Sequence, residues 1–285
     1  MVEVILSYLW TAFSASLVQI GLFFVTGLIL TLILNYASSS VQRRALLTIG
    51  KGCYLGLLGW LGTIIHELGH AIFCLIFRHK ITTLKLFEPD PETGTLSYVE
   101  HTYDSSSLYQ QVGNFCIGIG PILLGTVLTY LLLYLLLGLS PFTFSSNIGI
   151  TSPHFYSWNV LNQMLQSLLT SSTNLLSGIF SRHNLATWQL YLFLNLAFSI
   201  GSSITLSPSD LKGTFKGFSI IIILIFLFNL ATVWAGDLTS NIFWGTVSYF
   251  LVFYTALFLI FLLDIAVSVL LLLPISLLQT HHSKS

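Results

Sequence analysis

Charge is what this sequence has least of. Ten Lys and Arg and ten Asp and Glu stand among 285 residues, 7% of the chain, where a soluble domain carries about 25%. That shortage, with a mean hydropathy of +0.86, excludes an ordinary soluble fold. The few basic residues are scattered, so no basic stripe exists and nucleic-acid binding is excluded. Cysteine is scarce too. Cys53, Cys74 and Cys116 are an odd set with no C-x-x-C pair, which argues against a disulfide framework and a thiolate zinc site. A basic n-region is missing before the first apolar stretch, which is therefore expected to be a retained span and not a cleaved signal. No internal repeat is found.

What the chain has in abundance is apolar runs, such as residues 22–34 and 220–230. About 20 apolar residues span a bilayer as a helix. The expected fold is an all-α membrane protein of about six transmembrane helices, a single polytopic domain over residues 1–285. The spans fall at about 4–36, 52–77, 112–137, 187–206, 218–235 and 244–278. Residues 38–51 read as a short polar connection carrying Arg43 and Arg44. Residues 81–110 are the one clearly water-loving piece, with the hairpin loop expected over 81–104. Two loosely alternating stretches, 81–87 and 95–101, flank Pro89, Asp90, Pro91 and Gly94, which predicts a small β-hairpin. Residues 139–185 form a polar loop within which 155–180 fit an amphipathic helix on the membrane surface. The third span begins rich in Gly and contains Pro, over Gly113 to Pro121, which favours close helix approach.

The second span holds His66-Glu67-Leu68-Gly69-His70, the pattern H-E-x-x-H. On a helix, residues four apart share a face, so two imidazoles can meet one Zn²⁺, and the Glu beside the first can act as general base on a zinc-activated water. Three ionisable groups in five residues of a membrane helix are expensive as packing alone. A bound metal accounts for them better than three polar groups bonding neighbouring helices.

A catalytic zinc takes a third protein ligand and keeps one position for water. A metzincin continuation would need Gly and His where Phe73 and Ile76 stand, and no Glu follows Glu100. The acidic residues of the hairpin region are explained by solvation, and Asp237 sits in a short polar loop. That leaves Asp210 and Asp264. Asp210 follows Pro208 at the end of an apolar span and is the favoured ligand, against a role in starting the next helix. Asp264, with only apolar neighbours, is the alternative, or a group that bonds an interior partner or tunes the site.

These features resemble the site-two protease family of intramembrane zinc metalloproteases, in a divergent branch. The likeness rests on H-E-x-x-H on an early span, a hairpin after it, a third span rich in Gly and Pro, and the late Pro208-Ser209-Asp210 turn. It covers roughly residues 52–215, the expected protease core. The family's late motif usually reads Asn-x-x-Pro-x-Pro-x-Leu-Asp-Gly, and here Asp210 precedes Leu211 instead. The resemblance implies one catalytic zinc held by His66, His70 and Asp210, and Glu67 as base. It also implies a hairpin that receives substrate as an added strand. The implied activity is hydrolysis of peptide bonds in a transmembrane protein or peptide. Asn114 is a candidate contact to substrate backbone or oxyanion. A polytopic metal or proton transporter and a catalytically inactive membrane relative are the alternatives.

Residence in the plasma membrane is expected. With a cytoplasmic N-terminus, six Lys and Arg fall inside and four outside, a small bias towards that orientation. His70 precedes Arg78 by eight residues, roughly 12 Å of helix, so the site is expected nearer one membrane face.

Overall fold

The computed structural model describes residues 2–88, 97–140, 158–204, 208–235 and 237–267. Helices α1 (Val2–Ile20) and α2 (Thr26–Ile49) are joined by a π turn at Gly21–Val25 into one rod of 48 residues. The polar stretch expected to form a connection at residues 38–51 is therefore helical as far as Ile49. It contains no Pro or Gly before Gly50, whose φ of 79° ends the rod. Helix α3 (Lys51–Tyr54), a second π turn at Leu55–Gly59 and α4 (Trp60–Ile76) then run on without a break.

Helix α4 stops in a left-handed cap. Arg78 sits at φ 58°, and the His79 amide donates to the Cys74 carbonyl at 2.8 Å. This Schellman-type closure satisfies the helix end and turns the chain into β1 (Lys80–Lys85). Strand β2 (Tyr98–Thr102) returns antiparallel, pairing Ile81 with His101 and Leu84 with Val99, with an irregularity between Ile81 and Thr83. The expected hairpin is present, its strand bounds differing from the expected ones by one to three residues; the turn chemistry of Pro89 to Gly94 lies outside the described residues.

Ser107 caps α5 (Leu108–Leu137) by accepting from the Gln110 amide, and Gly138 closes it in the left-handed region. Its first half lies against α4. A Cβ at Gly69 would stand 2.6 Å from Pro121 Cα, and one at Gly120 would stand 2.6 Å from the Gly69 carbonyl oxygen. Only glycine at both positions permits that approach of backbones.

Helix α6 (Trp158–Ile179) buries Met164, Ser171, Ser172, Leu175 and Ile179. That 3.6-residue stripe packs into clusters with residues of α5, α8 and α10. After α7 (Arg182–Leu185) comes α8 (Trp188–Gly201), then α9 (Pro208–Thr232) and α10 (Asp237–Val267). The central core joins Leu34, Ile65, Ile122, Ile200, Ile204, Tyr254, Leu257 and Ile260, from α2, α4, α5, α8 with its following turn, and α10.

Among the described residues, four helices are long and apolar enough to cross a membrane: Val2–Ile49, Leu108–Leu137, Lys212–Ala235 and Gly245–Ala266. Of the six expected spans, the second supplies the 17-residue apolar helix α4, and the fourth, expected over 187–206, supplies only the 14-residue α8. At 1.5 Å per residue α8 reaches roughly 21 Å, short of a 30 Å hydrocarbon core, whereas α4 continues the helical turns of Lys51–Gly59 and is longer than its own 17 residues. Helix α9 leaves Phe215, Ile223, Leu224, Leu227 and Phe228 exposed. A contiguous surface of this kind suits lipid rather than water.

Candidate metal centre

The site is built where α4, α5 and the start of α9 meet. Helix α4 carries His66 and His70 one turn apart, their ring centroids 5.0 Å from each other. Each Nδ1 lies 2.8 Å from a backbone carbonyl oxygen: His66 meets Ser203, just beyond α8, and His70 meets Ile117 of α5. A carbonyl only accepts, so both Nδ1 atoms carry the ring proton and donate it. Both Nε2 atoms are then lone-pair donors, and they face each other at 3.3 Å. Two lone pairs at that distance repel unless a cation lies between them.

Asp210 supplies the third group. Its Oδ1 lies 3.5 Å from His70 Nε2. One ligand atom each from His66, His70 and Asp210 lie within 4.8 Å of one another, and the three can hold a metal ion. Tetrahedral zinc with bonds of about 2.1 Å places its ligands about 3.4 Å apart, and two imidazoles with a carboxylate are a usual zinc donor set. The residues therefore fit zinc, with each histidine fixed in its tautomer by an outer hydrogen bond.

Asp210 does not reach the site as the sequence suggested. Pro208 does not terminate the preceding helix, which ends at Gly201. It opens α9, and Asp210 sits in that helix's first turn. Proline suits this position because its missing amide would have had no helical partner, and the helix dipole favours a carboxylate there. Helix α9 is brought close by glycine: a Cβ at Gly118 would lie 2.9 Å from the Asp210 carbonyl oxygen, and one at Gly217 would lie 2.6 Å from the Phe115 amide.

Glu67 is 7% exposed. It is near enough to interact electrostatically with His66 and Asp210. Ser97, just before β2, donates to Glu67 Oε1 at 2.8 Å. The hairpin is thus hydrogen-bonded to the candidate base, a contact across 30 residues that left no local trace in the sequence. Asn114 lies one helical turn before Ile117 on α5, is buried, and its Nδ2 has no hydrogen-bond partner among the described residues. A buried amide with an unused donor beside the His70 anchor has a place for an incoming acceptor.

Asp264 is not part of this group. It is fully buried on α10 and meets Ser38 at 2.6 Å.

A second histidine pair lies just outside. His79 and His101 face each other through Nδ1 at 3.0 Å, and His79 Nε2 donates to the Gln110 carbonyl oxygen at 2.8 Å. The His79 ring stacks on Tyr103, whose hydroxyl takes a hydrogen bond from Lys216 at 3.2 Å. Burial pushes both imidazoles below their ordinary pKa. The hydrogen bond to Gln110 works against this at His79, and the charges of His79 and His70 add to it at His101. The pair ties the end of α4 to the hairpin, and the hairpin to α9.

Set beside known proteins, the chain matches no family model, no curated protein and no solved structure.

Proposed function

We propose that this chain is an intramembrane zinc metalloprotease of the site-two type, cutting peptide bonds of membrane-embedded substrates in the plasma membrane. The observation that carries the reading is the convergence of His66 Nε2, His70 Nε2 and Asp210 Oδ1, with Glu67 beside the first ligand on the same helix. Bound there, zinc supplies Lewis-acid chemistry, polarising a carbonyl and lowering the pKa of water towards about 7.

The chain's own residues do the rest. His66 and His70 present Nε2 because the Ser203 and Ile117 carbonyls hold their Nδ1 protons. Glu67 takes a proton from the attacking water at its carboxylate and returns it to the leaving amine, while Ser97 fixes one of its oxygens. Asn114 Nδ2 donates to the substrate's backbone carbonyl. The hairpin offers an edge to which an unwound substrate segment adds as a strand, its backbone groups satisfied by main-chain hydrogen bonds. The neighbouring glycine contacts of Gly69 and Gly120 keep the ligand helix and α5 in register.

The test is cleavage of single-span peptides by purified protein in liposomes, with bound zinc measured on the same samples. Glu67→Gln is expected to keep one zinc per chain and lose cleavage by about 10²–10⁴-fold. Cleavage by that variant at the wild-type rate overturns the mechanism. Several exchangeable ions per chain, moved across the liposome, would favour metal transport instead.

A further inference from the structure

Away from the histidines, a second buried polar cluster joins α2, the end of α8 and α10. Asp264 has no exposed surface, and its Oδ1 has no hydrogen-bond partner among the described residues. Its Oδ2 lies 2.6 Å from Ser38 Oγ, and that same Oγ lies 3.3 Å from the Gly201 carbonyl oxygen. Gly201 closes the turn at residues 201–204 by accepting from the Ile204 amide at 3.1 Å. Inside that turn is Ser203, whose carbonyl holds His66 Nδ1. Ser202 of the same turn is met by the buried Tyr54 hydroxyl.

The proton count around Ser38 is decisive. A hydroxyl carries one hydrogen and can donate to one oxygen. A carbonyl has no proton to give, so the Ser38–Gly201 contact needs the Ser38 hydrogen. The short Ser38–Asp264 contact then needs a hydrogen from Asp264. With an ionised Asp264, Ser38 would donate to the carboxylate, and the Gly201 carbonyl oxygen would keep the Ile204 amide as its one donor among the described residues, 3.3 Å from a serine oxygen with no hydrogen left for it. An ionised carboxylate with one neutral donor would also leave its second oxygen unsolvated, at a cost of several kcal/mol. A protonated carboxyl satisfies both contacts and leaves only a weak acceptor unused.

We propose that Asp264 is held as a neutral carboxylic acid and is a positioning residue for His66. Its proton heads the donor chain Asp264 to Ser38 to the Gly201 carbonyl, which fixes the turn that selects the His66 tautomer. The part of this claim that concerns metal binding rests on His66 being a ligand; the proton and the tautomer do not.

Two spectroscopic readouts test it on the full chain in detergent at pH 7. Infrared difference spectra between wild type and Asp264→Asn are expected to show the carbonyl band of a protonated carboxyl in the wild type alone. An ionised carboxylate band in its place overturns the proposal. Nitrogen NMR of the histidine rings is expected to show His66 with its proton on Nδ1 in wild type. Asp264→Asn should preserve that, because its amide can donate to Ser38, whereas Asp264→Leu and Ser38→Ala should mix the tautomers. An unchanged His66 spectrum in both of the latter overturns the positioning role, as does loss of the Nδ1 form in Asp264→Asn. Zinc affinity, measured against a competing chelator, is expected to fall at least about tenfold in Asp264→Leu and stay within about twofold in Asp264→Asn. A chain that binds no zinc yet shows the tautomer shift would refute the protease reading and leave Asp264's role standing.

Discussion

Asp210 and Asp264 are the two aspartates an apolar sequence left as partners for the histidines, and they sit in opposite kinds of place. Asp210 stands in the first turn of a helix, partly accessible, 3.5 Å from an imidazole nitrogen. Asp264 stands within a helix, inaccessible, beside a hydroxyl and a glycine. The first environment gathers a helix N-terminus and two imidazole nitrogens around the carboxylate. The second offers one neutral hydroxyl and no cation. One aspartate thus lies where a ligand can reach it, and the other where only a neighbouring hydroxyl can.

The largest expected effect falls on metal content. Asp210→Ala should weaken zinc binding by more than about 100-fold, beyond what loss of an outer hydrogen bond does, while Asp264→Leu costs at least about tenfold but less than Asp210→Ala. Equal losses in the two variants, read by chelator competition, would erase the distinction between ligand and strut.

Next come the glycines beside each cluster. Gly69→Ala drives a methyl against Pro121 backbone at 2.6 Å, whereas Gly201→Ala drives one against the Ile260 side chain at 2.5 Å, with Asp264 Oδ1 at 3.1 Å. Backbone cannot rotate away and a side-chain methyl can. Gly69→Ala should therefore destabilise by about 3 kcal/mol and Gly201→Ala by about 1 kcal/mol. Unfolding in detergent would show the order, and a reversed order would mean that the α4–α5 contact yields more easily than it looks.

The smallest effect is one of pH. His79 and His101 lie on the hairpin side, and burial holds both below the imidazole value of about 6.5. The unfolded chain then binds more protons than the folded one below that pH, so stability rises with pH in this window and falls on acidification. Protection factors across Lys80–Lys85 and Tyr98–Thr102, corrected for the intrinsic exchange rate, should fall between pH 7.5 and 5.5, with no matching change at residues 199–204. His79→Gln with His101→Gln should flatten the response. A pH dependence surviving in that double variant would place its origin elsewhere.

The part of this that sequence made legible is the part governed by local spacing. Two histidines four apart share a helix face whatever surrounds them, and Pro89 to Gly94 between alternating stretches requires a turn. The apolar runs fix the helices but not their ends. Residues 38–49 look like a loop because they are polar, yet nothing in them breaks a helix. Pro208 has two local meanings, as the end of one helix or the first turn of the next, and the structure uses the second. Ser97, Ser203 and Ile117 were invisible for a different reason. Their contacts to Glu67, His66 and His70 span 30, 137 and 47 residues, and two of the three use a main-chain carbonyl that any residue type would supply.

The two carbonyls that hold the histidine rings come from different parts of the chain, Ile117 from α5 and Ser203 from beyond α8. Each imidazole is oriented by a main-chain carbonyl of another element. The socket is assembled by folding, so a chelator should strip it without collapsing it, and returning the ion should restore the holoprotein without refolding. On the proposed reading, metal loading is a step separate from folding.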